Sequence, residues 1–192
     1  MIDFDRVCFS YGQKEVFRGL TLHVGAGERV AICGESGCGK TTLLRLVMGL
    51  EKPADGAVTV RASRVGALFQ EDRLLPYLSV ARNCELFAAD AASVRPTLHA
   101  LGLSDAADAL PSSLSGGMAR RAALARALCR GAELYLFDEP FNGLDRENAA
   151  RAAELVCRVT EGRTVLVVTH RADEADALRC RTVKNLQPFR HA

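Results

Sequence analysis

One octapeptide constrains this chain more than any other segment: Gly34-Glu35-Ser36-Gly37-Cys38-Gly39-Lys40-Thr41, which fits the pattern G-x-x-x-x-G-K-[S/T]. It follows a short apolar run, Val30-Ala31-Ile32-Cys33. It leads into a segment of helical spacing, with Leu43, Leu44, Val47 and Met48 on one side and Gly49 at its end. The glycines let consecutive backbone N–H groups turn inward and form a nest for phosphate oxygens. A helix that starts near Lys40 adds the positive end of its dipole. In such a loop the Lys40 ammonium reaches the β- and γ-phosphates of a nucleotide, and Thr41 offers its hydroxyl to Mg²⁺. Average residue usage yields this pattern by chance in roughly 1% of chains of this length, and the strand–loop–helix setting lowers that further.

The rest of the chain supplies a setting for the loop. Residues 2–7 and 15–24 are β-rich and read as antiparallel strands joined by a turn around Gly12. Residues 28–33 form the strand that enters the glycines, and a turn at Pro53-Ala54-Asp55-Gly56 precedes strands at 57–61 and 65–69. After Gln70 the character changes: residues 79–109 are rich in alanine and leucine, with helical periodicity and no strand signal. Pro111 closes this stretch, and residues 117–130 read as a helix of Ala, Leu and Arg. Residues 134–137 and 164–168 are continuous apolar runs, the pattern of buried parallel strands, and helices at 146–160 and 171–178 accompany them. The expected fold is α/β, with a mainly parallel sheet, an N-terminal antiparallel β subdomain and an α-helical subdomain inserted over roughly residues 71–116. Residues 1–192 form a single domain in this reading, without internal repeats.

Composition narrows the function classes. A chain of 192 residues, 48% hydrophobic, can fill one core, and a net charge of +2 gives no electrostatic case for nucleic-acid binding. The first residues, Met1-Ile2-Asp3-Phe4-Asp5, lack the basic and apolar regions of a secretory signal. Runs such as Val165-Leu166-Val167-Val168 fall far short of the roughly 20 residues that span a bilayer. The expectation is a soluble chain whose role at any membrane comes through a partner. Seven cysteines, odd in number and without a Cys-x-x-Cys pair, read as reduced thiols packed as small hydrophobes.

Two further motifs carry chemistry. Leu134-Tyr135-Leu136-Phe137-Asp138-Glu139 is an apolar strand that ends in two carboxylates. Ligands of open parallel sheets bind at such strand ends, so Asp138 is a candidate for Mg²⁺ and Glu139 for polarising an attacking water. The strand before Thr169-His170 brings polar groups to the same edge. In Leu114-Ser115-Gly116-Gly117-Met118, Ser115 can cap the following helix, while Gly116 and Gly117 leave its first N–H groups open to an anion.

The order of these features (phosphate loop, glutamine, helical lobe, Ser-Gly-Gly, acidic strand) resembles the ATP-binding cassette (ABC) ATPases over essentially the whole chain. That resemblance implies an ATPase subunit of an ABC membrane transporter, with ATP and Mg²⁺ as ligands. Gly34, Glu35, Ser36, Gly37, Cys38, Gly39, Lys40, Thr41 and Thr42 correspond to the Walker A loop, and residues 134–138 to Walker B, with Glu139 as the catalytic glutamate. Gln70 corresponds to the glutamine that senses Mg²⁺ and the attacking water. Ser115, Gly116 and Gly117 resemble the family signature, Leu144-Asp145 the loop that crosses the dimer interface, and His170 the switch histidine. Tyr11 stands where the family places an aromatic on adenine. The implied assembly pairs two ATPase subunits, a homodimer or a pair of related chains, with transmembrane permease subunits; a substrate-binding protein is a candidate further partner. The implied location is cytoplasmic, on the inner face of the cell membrane.

The sequence also departs from the family. The signature ends in Met118 where Gln is usual, and Met118→Gln is expected to be tolerated. The chain stops soon after His170, so no C-terminal regulatory domain is expected. Phe69-Gln70-Glu71-Asp72-Arg73-Leu74-Leu75-Pro76 resembles the corresponding loop of importers of the nitrate, sulfonate and taurine group. The alternatives are a soluble non-transport ABC ATPase of DNA repair or translation, a small-molecule kinase with the same phosphate loop, and a degenerate cassette.

Overall fold

The structure, a computed structural model, describes residues 1–35 and 37–184. The chain opens with β1 (Ile2–Tyr11) and β2 (Lys14–Val24), an antiparallel hairpin that turns at Gly12. β3 (Arg29–Cys33) enters the glycine loop, and α1 (Lys40–Val47) leaves it. β4 (Asp55–Val60) returns to the hairpin, giving a three-stranded antiparallel sheet of order β2-β1-β4. β5 (Val65–Leu68) then begins the second sheet. Between β5 and β6 lie α2 (Val80–Glu85), α3 (Val94–Ala100), three 3₁₀ turns and α4 (Gly116–Cys129). The chain continues through β6 (Leu134–Asp138), α5 (Arg146–Val159), β7 (Thr164–Thr169), α6 (Ala172–Ala177) and β8 (Arg181–Lys184).

The five-stranded sheet has the order β5-β6-β7-β3-β8, and every pairing in it is parallel. Parallel sheets need both faces covered, which is why β6 and β7 are buried at every residue. Side chains alternate between the faces. Val30, Ile32, Leu134, Leu136, Leu166 and Val168 face α1 and the antiparallel sheet. Ala31, Tyr135, Phe137, Val165 and Val167 face the helices of the other side. The apolar runs at 134–137 and 164–168 therefore form two of the three interior strands, as their unbroken hydrophobicity predicts. Edge strand β8 has no counterpart in the sequence reading; it is short and carries Arg181 and Lys184, which hide its β character.

The helical region is a set of short pieces instead of long helices. Asn83 is fully buried and explains how the preceding segment stays ordered. Its amide donates to the carbonyls of Leu75, Leu78 and Ser79, and its carbonyl accepts from the Leu75 N–H at 2.7 Å. Cys84 and Cys129 pack within the core of this region, as small hydrophobes do. α4 lies close against β5 because Gly66 has no side chain. A Cβ there would meet the Ala127 carbonyl at 2.7 Å and the Tyr135 ring at 2.9 Å.

Gly66→Ala is accordingly expected to lower the thermal midpoint by several degrees, since neither a backbone carbonyl nor a buried ring yields cheaply. Gly116→Ala, where a Cβ meets nothing within 4 Å, should leave the midpoint unchanged. Differential scanning calorimetry of the two variants checks both.

Candidate functional site

Strand register builds the site. In the parallel sheet Cys33 pairs with Thr169, and Asp138 pairs with Val168. The residues that follow β3, β6 and β7 therefore emerge together at one edge: Gly34, Glu139 and His170. This is the carboxyl edge, where open parallel sheets hold ligands.

The glycine loop is closed by its own lysine. Lys40 is buried, and its Nζ donates to the carbonyls of Gly34 at 2.6 Å and Glu35 at 2.7 Å. Cys38 lies beside it, with Sγ 3.9 Å from Nζ and its N–H bonded to the Glu35 carbonyl. Gly39 must be glycine on two counts. Its φ is 97°, and a Cβ would stand 2.8 Å from the side chains of Phe17 and Val16. No side chain caps α1 at Gly39, so the first N–H groups of the helix face outward without an intrahelical acceptor. Such an end attracts anions. Ser36 lies outside the described residues.

The two carboxylates differ in setting. Asp138 is 4% exposed and accepts a hydrogen bond from the Thr41 hydroxyl at 2.9 Å. Burial pushes its carboxyl above the usual aspartate value, the Thr41 bond opposes this, and the Glu139 charge adds to it. Glu139 takes the left-handed backbone conformation, φ 49°, with its N–H bonded to the Val168 carbonyl. That turn carries its carboxylate toward β7, where Oε2 stands 2.8 Å from His170 Nδ1. The Thr169 hydroxyl bonds Glu174, a buried carboxylate on α6, at 2.7 Å.

A cavity of about 500 Å³ opens at this edge, a size ordinary for a small-molecule site. Gly37, Gly39, Lys40, Thr41 and Thr42 form one wall, and Asp138, Glu139 and His170 another. Gln70 reaches it from the segment after β5. Tyr11 lies at the rim, partly exposed, its ring edge-on to Phe9 at 4.8 Å. Gly34, Glu35 and Cys38 belong to the loop but not to the lining, their part being to hold Lys40.

Ser115, Gly116 and Gly117 do not line this cavity. Ser115 caps α4 by accepting from the Met118 N–H at 3.3 Å, as its sequence position predicts. Gly117 approaches Gly143 and Leu144, so the Ser-Gly-Gly segment and the 144–145 loop lie side by side. Met118 packs partly buried against the helical core, a contact not visible in the sequence. Three lining residues also went unread: Lys14 and Val16 on β2, and Asn142 after the acidic turn. A strand lysine and valine carry no motif. Asn142 follows the two carboxylates closely, and that proximity was its one available signal.

The raised pKa of Asp138 fixes the sign of a stability effect. Its folded pKa lies above the unfolded one, so the ionised form destabilises the fold at neutral pH, and protonation removes that cost as pH falls through the folded pKa. In the absence of nucleotide, Asp138→Asn is therefore expected to melt a few degrees higher than the parent at pH 7. The gain should shrink on acidification into the carboxylate range. Melting curves over pH 4–8, a window of about 4 units around ordinary carboxylate values, check this.

Comparisons with known proteins agree with this geometry. A family model described as ABC transporter matches residues 17–142. An aliphatic sulfonates import ATP-binding protein of Granulibacter bethesdensis is 45% identical over 192 residues, covering 95% of this chain and 79% of that one. A protein of the same description from Xanthomonas axonopodis pv. citri is 41% identical over 191 residues, covering 90% and 76%. Among solved structures, the dimeric form of the bacterial ABC transporter cassette MJ0796 has a TM-score of 0.83 at 28% identity, covering 99% of this chain and 97% of its own. A post-hydrolysis dimer of the same cassette, bound to ADP and Pi, gives 0.82. These matches favour a transporter cassette over the DNA-repair, translation and kinase alternatives. With a phosphate loop, an acidic strand end and a histidine gathered on one sheet edge, the chain belongs to the ABC transporter family as one of its ATPase cassettes.

Proposed function

We propose that the cavity binds ATP and hydrolyses its terminal phosphoanhydride to power import through separate membrane-embedded subunits. The observation that carries this is the convergence of Lys40, Thr41, Gln70, Asp138, Glu139 and His170 on one cavity while Ser115 stays outside it. Gly34 to Thr42 cradle the triphosphate with backbone N–H groups, and Lys40 counters charge on its terminal phosphates. Tyr11 stacks on the adenine. Mg²⁺ fits beside the Thr41 hydroxyl and the Asp138 carboxylate, hard oxygen donors already 2.9 Å apart, with Gln70 nearby. When bound it supplies positive charge against the phosphate oxygens. Glu139 polarises the attacking water, and His170, in contact with Glu139, reaches the γ-phosphate.

Ser115, Gly116 and Gly117 complete the site of a second copy, or of a paired ATPase subunit. Two chains thus enclose two nucleotides, each held by Lys40 and Thr41 of one and by the start of α4 of the other. The exposure of Ser115 and Gly116 and the dimeric cassette relatives support this. None of the helices among the described residues is long and apolar enough to cross a membrane, which agrees with transport being done by partners. The chain then works at the cytoplasmic face of the membrane, and in an importer a substrate-binding protein serves the opposite face. The cargo class follows the relatives: a small aliphatic sulfonate.

Glu139→Gln separates binding from hydrolysis. It should retain ATP binding, lose turnover by about a hundredfold or more, and accumulate an ATP-dependent dimer on size-exclusion chromatography. Parent-level turnover in that variant would remove Glu139 from the mechanism. For the cargo, uptake of a labelled alkanesulfonate by cells that carry the chain and its co-purifying membrane subunits should stop in Glu139→Gln. Uptake that continues unchanged would refute the coupling.

A further inference from the structure

Arg120 lies in the second turn of α4, 4% exposed, and its neighbours are almost all acceptors. Nη1 donates to the carbonyls of Phe69 at 2.5 Å and Gln70 at 3.3 Å, and meets the Asp72 carboxylate at 3.1 Å. Nη2 donates to the carbonyl of Asp138 and, at 2.6 Å, to that of Glu139. Nε is buried with no hydrogen-bond partner. One side chain thus ties together three segments: the start of α4, the stretch that carries Gln70, and the turn that carries Glu139.

That arrangement exceeds what packing alone asks for. The guanidinium is always charged and costly to bury, and the carboxylate it pairs with, Asp72, is 27% exposed and could be solvated without it. Residues 122–125 of the same helix are apolar and fully buried, so an apolar side chain would suit a mere core position. What the guanidinium adds is a planar set of donors that fixes carbonyls from two separate segments at once. Glu139 needs such fixing, because a left-handed conformation is uncommon for a residue with a Cβ. The Val168 carbonyl holds its N–H and Arg120 holds its C=O, so its carboxylate is left aimed at His170.

We propose that Arg120 is a positioning residue for hydrolysis: it locks the backbone of Glu139 and Gln70 to the start of α4. The carboxylate and the amide then keep their aim only while the Ser115–Gly117 end of that helix is seated. This rests on the reading of Glu139 as the group that polarises water. It makes α4 the mechanical link between the segment offered to a second copy and the catalytic groups of its own chain.

The test is steady-state ATP hydrolysis by Arg120→Gln, Arg120→Met and Arg120→Lys, each alone and combined with Glu139→Gln, with ATP affinity and melting curves measured alongside. Loss of the fork should lower kcat by about tenfold or more in the Gln and Met variants, with KM and ATP affinity within about threefold of the parent. Lys, which keeps the cation, should recover part of kcat. In the Glu139→Gln background the same substitutions should cost much less than tenfold, because of the two groups they position only the Gln70 amide remains. If Met does not fold, the Gln variant decides. Parent-level kcat in folded Arg120→Gln overturns the proposal, and so does a loss that persists undiminished beside Glu139→Gln. Parent-level turnover in Glu139→Gln alone sinks the reading of Glu139 instead.

Discussion

The pairing of β6, β7 and β3 is the constraint on which the site depends. A parallel sheet has one carboxyl edge, and three neighbouring strands in register deliver their next residues to the same place. A shift of one residue in β6 would turn Asp138 to the opposite face of the sheet and separate it from Thr41. The full burial of β6 and β7 prevents that slip, because each residue is committed to one of two apolar layers. The chemistry at the edge is therefore positioned by the hydrophobic core beneath it, not by the loops that carry it.

The loops need a second source of order, and α4 provides it. The segment from Phe69 to Ser79 has no ladder of its own, yet its buried polar groups require partners. Arg120 takes the carbonyls of Phe69 and Gln70, Arg126 those of Asp72 and Arg73, and Asn83 those of Leu75, Leu78 and Ser79. A connection that looks irregular is thus pinned along its length by long polar side chains from neighbouring helices. Gly66 lets α4 come near enough to the sheet for this to happen.

This division explains which features the sequence made legible. Period and composition disclosed the buried strands, and the glycine loop disclosed its own conformation, since Gly37 and Gly39 both require positive φ. Glu139, His170 and Gln70, which line the cavity, are legible because each follows a recognisable strand or motif. Arg120 is hidden among Arg121 and Arg126 on the same helix and Arg130 just past its end, and nothing local says which arginine turns inward. Lys14 and Val16 reach the cavity only because the antiparallel sheet leans over the loop, a tertiary fact with no local code. The same holds for Met118, whose neighbour in the signature, Ser115, was legible because capping is a local interaction.

The charge pattern of the cavity supplies the last step. One wall offers Lys40 and the open N-terminus of α1; the other offers Asp138 and Glu139, with Glu174 behind them. Burial raises the pKa of Asp138 and of Glu174, and the charge of Glu139 raises both further. A polyphosphate that settled on the first wall would face repulsion from the second unless cationic charge came between them. The Thr41–Asp138 contact lies where the two walls meet and presents oxygen donors alone, the ligand type a hard divalent cation prefers. On the reading proposed above, electrostatics favour a nucleotide that brings a cation with it over the free nucleotide.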